Sequence, residues 1–249
     1  MLTSVALAAG AVDAVAGGGG LLTLPALLAT GLPPHLALGT NKGQSVFGSG
    51  AALVRYARSS MVGGSRALVA FPAGLAGSFL GASLVMRLRP ESLRPLVLIL
   101  LIAVAAFLAF RPQLQGRKKD VSTRRELLVA AATGLVIGAY DGFFGPGTGT
   151  FLIIAFVLLL GDELARASAN AKVVNFASNL AAMALFASRD AIVWKLAVPM
   201  AAAQFAGGWL GAHLAVRRGD RLVRGAVLAV VLALSVKMGS EILGLGLGP

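Results

Sequence analysis

One segment of this chain occurs twice, and it limits what the chain can fold into more than any other feature. Residues 10–20 carry Asp13 in an apolar run that breaks four residues later into Gly17, Gly18, Gly19 and Gly20. Residues 138–149 carry Asp141, and the break there is Gly145, Pro146, Gly147, Thr148 and Gly149. About thirty residues beyond each aspartate stands a lone lysine, Lys42 and Lys172. Consecutive glycines interrupt a helix. A carboxylate inside apolar sequence is costly unless it is paired or lines a wet cavity. An acid, a glycine break and a base, duplicated in apolar sequence, is how a membrane transporter builds a site between two structural repeats.

Composition agrees. The chain is 57% hydrophobic and 13% charged, with mean hydropathy +0.83, far from the range of soluble domains. Uncharged apolar runs recur at Leu68–Met86, Leu96–Phe110, Leu127–Ala139, Thr150–Leu160, Val173–Ala187 and Gly225–Val236. With flanking small residues, most reach the roughly 20 residues of a membrane span. The net charge of +12 does not indicate a nucleic-acid partner, because the arginines sit in short clusters between apolar runs, as the positive-inside rule places them. With no cysteine there is no disulfide, thiolate nucleophile or iron–sulfur cluster, and His35 and His213 are too few to suggest a metal centre. No cofactor is expected. The first 20 residues resemble a signal-peptide apolar region without its basic flank, but they recur in the second half and are expected to belong to the fold.

The repeat extends beyond the glycines. Asp13 maps to Asp141 at an offset of 128; after a two-residue gap, Lys42 maps to Lys172 and Gly77–Gly81 to Gly207–Gly211 at an offset of 130. The expected organisation is a first transmembrane repeat over 1–110, a basic cytoplasmic linker over 111–126 and a second repeat over 127–249. The fold class is an all-α polytopic membrane protein with about eight helical membrane regions, near 2–32, 36–54, 67–86, 95–110, 127–160, 167–187, 192–216 and 223–243. The first region of each half is too long for one upright crossing and is read as a glycine-broken helix hairpin. Each half then crosses three times, which inverts one half against the other. In that arrangement 14 basic residues fall on the linker side and 6 on the other; upright crossings would give 12 and 8. The bias favours inverted repeats with a cytoplasmic linker.

Four charges are expected inside the membrane: Asp13, Asp141, Lys42 and Lys172. Each costs roughly 2.5–3.5 kcal/mol at a helix centre. They are retained either as two Asp–Lys pairs that lock the halves together or as a substrate site. Lys42, Ser45 and Ser49 share one helix face, and Lys172, Asn175 and Asn179 occupy the matching positions. Half-helices starting after the glycines, at Leu21 and Thr150, would aim free N–H groups of Gly18, Gly19, Gly20, Gly147, Thr148 and Gly149 into the cavity. Two such ends and two lysines make an anion site. Neither glycine cluster is a P-loop, since no Gly-Lys-Ser/Thr follows.

Asp13 with Gly17–Pro25, Gly39-Thr40-Asn41-Lys42, Tyr140–Gly149 and Ala171-Lys172 together resemble the TSUP family, also called TauE/SafE, over nearly the whole chain. That family contains sulfite exporters and permeases for sulfur-containing organic anions. The resemblance implies a multi-pass transporter in a bacterial-type plasma (inner) membrane, with the lipid bilayer and a small anion as its partners. Sulfite, another sulfur oxyanion or an organosulfonate is the expected substrate class. Lys42 and Lys172 would attract the anion, while Asp13 and Asp141 would hold the lysines or carry a coupling proton. The alternative is a membrane scaffold or assembly protein whose Asp–Lys pairs are structural. An enzyme is not expected, because no nucleophile–base pair or metal-ligand cluster is visible.

Overall fold

The computed structural model describes residues 1–110 and 121–242, the side chains of Arg94, Ala105, residues 108–110 and those beyond Gly219 excepted. The expected linker cations Arg117, Lys118 and Lys119 lie outside the described residues. Every regular element among those described is helical. In order they are α1 (Leu2–Ala16), α2 (Gly20–Leu28), α3 (Pro34–Ala57), α4 (Gly64–Val85), α5 (Pro90–Phe110), α6 (Thr123–Phe143), α7 (Thr148–Ala155), α8 (Leu164–Ala187) and α9 (Trp194–Ile242). A π-helical turn, Phe156–Leu160, extends α7, and α9 is interrupted at Gly219. Helix α6 starts inside the segment expected as linker, so Arg124, Arg125 and Glu126 form its first turn.

Residue chemistry sets these boundaries. Pro34 opens α3 at a position where its missing N–H is no loss. Gly17 closes α1 in the left-handed region at φ 77°, and its N–H bonds back to Asp13 O. The chain then doubles back: a Cβ on Gly19 would lie 2.6 Å from Ala9 O, so α2 leaves alongside α1. In the second half, Tyr140 Oη donates to Pro146 O at 2.6 Å, and the Tyr140 and Phe151 rings meet edge-on at 5.3 Å. Helix α7 therefore returns along α6. The half-helices begin at Gly20 and Thr148, slightly earlier than Leu21 and Thr150, because the last glycine of each break already takes helical geometry.

Small residues let the helices approach to backbone contact. On α4, a Cβ at Gly77 would collide with Leu135 O, and one at Gly81 with Ala139 O. On α9, a Cβ at Gly207 would collide with Leu7 O, and one at Gly211 would sit 2.5 Å from Ala11 O. These collisions match position by position: Leu7 with Leu135, Ala11 with Ala139, Gly77 with Gly207. Close packing of this kind is the usual adhesive between helices in lipid. Elsewhere Thr40 Oγ1 accepts Val193 N–H at 3.0 Å, while Asn170 Oδ1 accepts Gly63 N–H at 2.9 Å, again at matched positions. Each half thus lends its fourth helix to the first helix of the other.

Helices α4 and α6 are each long and apolar enough to cross a membrane, with mean hydropathy 1.8 and 1.3 over their most apolar 18 residues. Their outward faces are apolar: Leu68 is 78% and Val136 67% exposed. Helices α3 and α8 are less apolar because they carry the buried polar side chains described below. Ionic groups gather at one end of the bundle. Arg66 donates to Glu126 and, at 2.6 Å, to Asp162; Arg55 donates to His213 at 3.2 Å; and Arg58 lies over the Trp209 ring. The other histidine, His35, sits 3.3 Å from Val85 O.

Candidate functional site

The two glycine breaks meet at the centre of the molecule. Thr150 N–H donates to Gly17 O at 3.3 Å and Thr150 Oγ1 to Ala16 O at 2.7 Å, so the start of α7 caps the end of α1. The remaining carbonyls of that last turn are also satisfied: Tyr56 Oη and Ser168 Oγ donate to Ala14 O, and Ser168 Oγ reaches Val15 O. Gly17 and Gly149 are in backbone contact; a side chain on either would strike the other. Among the described hydrogen bonds, none uses the N–H of Gly18, Gly19, Gly20, Gly147 or Gly149.

Both charge pairs form, and both cross between the halves. Lys42 Nζ on α3 donates to Asp141 Oδ1 on α6 at 2.7 Å; Lys172 Nζ on α8 donates to Asp13 Oδ2 on α1 at 2.7 Å. Sequence spacing leaves open whether each lysine reaches the aspartate of its own half. The fold brings each to the opposite one, because α3 and α8 pack side by side between the two hairpins.

The pairs are not equivalent. Asp141 is 2% exposed and accepts from Lys42, Thr148 Oγ1 at 2.9 Å and Ser178 Oγ. Lys42 also donates to Asn179 Oδ1 at 3.2 Å. Asp13 accepts from Lys172 alone among the described side-chain bonds and is 13% exposed, while Lys172 is fully buried. Ion pairs so deep in the protein hold only where hydrogen bonds complete their coordination. That completion is thorough at Asp141 and minimal at Asp13.

Between the pairs lies a cavity of about 20 Å³, walled by Asp13, Lys42, Asp141, Asn175 and Asn179 with Gly17, Gly20, Gly145 and Gly149. Ser45 and Asn41 complete the wall. Such a volume admits about one water, so a polyatomic ligand enters only if the walls part. Of the residues picked out by sequence, Lys172, fully buried against Asp13, is not on this wall, and neither is Ser49. Its hydroxyl bonds back to Ser45 O and Val46 O of its own helix. Gly18 and Gly19 also stand off the wall, the latter packed against α1, and Gly147 faces Val104 of α5. Thr148 acts through its hydroxyl, which holds Asp141 and Gly145 O. Asn41, Ser178, Tyr56 and Ser168 were not singled out by their spacing; each is a polar residue buried in an apolar helix, which is the signal that marks them.

The chain matches the family model described as sulfite exporter TauE/SafE over residues 2–238. It is 38% identical over 240 residues to a probable membrane transporter protein of Haemophilus influenzae, covering 96% of this chain and 93% of that one. It is 37% identical over 248 residues to the probable membrane transporter protein YfcA of Escherichia coli K12, covering 98% and 92%. With the probable membrane transporter protein ORF9 of a Sinorhizobium species it shares 36% over 233 residues, covering 94% and 89%. No solved structure matches significantly. The family match takes in both hairpins, both lysine helices and every residue of the central cavity, and by it this chain belongs to the sulfite exporter TauE/SafE family.

Proposed function

We propose that this protein is a multi-pass plasma-membrane transporter that moves a small anion, of the class of sulfite, other sulfur oxyanions or organosulfonates, through the central cavity. The observation that carries this reading is the pair of buried ammonium groups, Lys42 and Lys172, held by aspartates of the opposite half; Lys42 and both aspartates line one small cavity, and Lys172 adjoins it through Asp13. An anion and a carboxylate compete for the same ammonium. Loading therefore loosens a cross-half pair, and loosening it frees the halves to move. Alternating access follows from that coupling. Free amides on the cavity-wall glycines Gly20 and Gly149 supply donors for anion oxygens as the walls part. The names of the relatives and the family support transport rather than catalysis.

The halves are read as inverted repeats. The exchanged contacts of α1 with α9 and α6 with α4 are those a two-fold relation produces. With each hairpin turning back inside the membrane, three crossings per half put that axis in the membrane plane. Cysteine labelling at single positions of this cysteine-free chain tests the topology. Positions 118 and 219 are expected to label from the same, cytoplasmic side of intact membranes; labelling from opposite sides would refute the inverted arrangement.

Formed Asp–Lys pairs also suit a scaffold whose charges serve only to hold the halves together. The lysine variants separate the two. Lys42→Ala and Lys172→Ala are expected to insert into the membrane, Lys42→Ala at reduced yield because only Thr148 and Ser178 remain to hold the Asp141 carboxylate. Both are expected to weaken anion binding by about tenfold or more, the loss of one charge-assisted contact. Wild-type binding and counterflow of sulfite and taurine in both variants would favour the scaffold.

A further inference from the structure

The cavity wall includes one polar residue with no counterpart in the other half. Asn41 precedes Lys42 on α3, and the position matching it on α8 is Ala171. Its Oδ1 accepts two hydrogen bonds, from Thr23 Oγ1 at 2.6 Å and from Gln44 Nε2 at 3.0 Å. Thr23 Oγ1 also lies 3.2 Å from Gly19 O, so its one proton is shared between the two acceptors. In this arrangement Oδ1 faces Thr23 and Gln44, and Nδ2 is left for the cavity. The positions matching this clamp in the second half are apolar, Phe151 for Thr23 and Val174 for Gln44. Gln44 is fully buried and its Oε1 has no partner. Leaving such an acceptor unmet is costly, and the other half carries valine at the matching position. What the glutamine supplies is the second donor on Asn41.

We propose that Asn41 is a specificity-determining residue, presenting its Nδ2 hydrogens to an oxygen of the transported anion, and that Thr23 and Gln44 are positioning residues that fix this orientation. This rests on the anion-transport reading above and adds to it. Lys42 supplies charge at the cavity wall, with Lys172 held behind Asp13, whereas Asn41 supplies a directed donor on one side only. The ligand is thereby bound in a single orientation, with an acceptor oxygen toward α2 and α3. A polyatomic oxyanion or sulfonate satisfies that requirement.

The test is sulfite counterflow in proteoliposomes with the full-length protein, read as KM and kcat, alongside calorimetric binding of sulfite, sulfate and taurine. Thr23→Val is expected to raise the sulfite KM severalfold with kcat little changed, while Thr23→Ser, which keeps the hydroxyl, behaves as wild type. Gln44→Met is expected to resemble Thr23→Val. Asn41→Ala is expected to raise KM by about tenfold, the loss of one hydrogen bond to a charged group. Asn41→Asp, nearly the same shape but presenting acceptors, is expected to be worse than alanine. If Lys42→Ala raises KM while the Asn41 and Thr23 variants keep the wild-type value, the clamp is wrong and the anion site stands. Wild-type protein that binds none of the three probes overturns the anion reading and this inference with it.

Discussion

Replacing Gly17 with alanine is expected to prevent accumulation of folded protein, and Gly149→Ala is expected to do the same. Gly17 sits at φ 77°, a region that costs an L-residue about 1–2 kcal/mol. The larger penalty is collision. A Cβ on Gly17 would overlap the backbone of Gly149 and Thr150, and backbone cannot swing aside as the end of a flexible side chain can. To admit the methyl group the two breaks must separate. That gives up the Thr150 bonds to Gly17 O and Ala16 O and opens the cavity wall on which Gly17 and Gly149 lie beside Asp13 and Asp141. Overpacking alone typically costs about 1–3 kcal/mol. With backbone strain and two buried bonds added, the sum reaches the scale of whole-domain stability. Gly31 is the control: its φ is 83°, but no atom lies within 4 Å of its would-be Cβ. Gly31→Ala should lose about 1 kcal/mol and remain folded. Size-exclusion yield and melting temperature in detergent compare the two. Equal stability of Gly17→Ala and Gly31→Ala would mean that the glycine breaks do not touch.

Much of this arrangement can be read from residue order, and the parts that cannot share a physical cause. Apolar length and the glycine breaks locate the helices to within a few residues, since insertion and backbone freedom are local properties. Helix periodicity correctly sets Lys42 and Ser45 on one cavity-lining face. It fails at Ser49 because that short side chain bonds back to Ser45 O and Val46 O of its own helix, whereas the longer Asn179 at the matching position reaches the wall and Lys42. It overlooks Asn41 because a neighbour of Lys42 is turned about 100° away, and only the return of α2 past α3 makes that face polar. The crossing of the charge pairs is non-local in the same way. Asp13 can reach Lys42 or Lys172 as far as spacing goes, and the choice is made where α3 and α8 pack side by side between the hairpins, in a bundle that α4 and α9 lock by packing into the opposite halves through Gly77, Gly81, Gly207 and Gly211. Sequence shows that the charges need partners. The interlocked glycines decide which.

The two aspartates are expected to fail differently when amidated. Asp141→Asn should lose protein. Its carboxylate gathers Lys42, Thr148 and Ser178 in a site sealed from solvent, and an amide offers one acceptor oxygen and no charge to the same three donors. Breaking one side of a buried ion pair costs about 3–5 kcal/mol, and only Asn179 remains to share Lys42. Asp13→Asn should instead leave a folded protein. Asp13 is 13% exposed where Asp141 is 2%, so water can reach the altered group, and it anchors one donor rather than three. As the proposed coupling group, Asp13 would hold Lys172 away from the anion while charged and release it once protonated, so that proton and anion would be taken up together. Wild-type anion affinity should then rise as pH falls. Asp13→Asn imitates the protonated state, so its affinity should stay high and lose its pH dependence. Counterflow exchange would persist, and uptake driven by a pH gradient would disappear. If Asp13→Asn retains gradient-driven uptake at the wild-type rate, Asp13 is not the coupling group. If Asp141→Asn shows normal yield, the three-donor cluster is not what holds the first lysine in place.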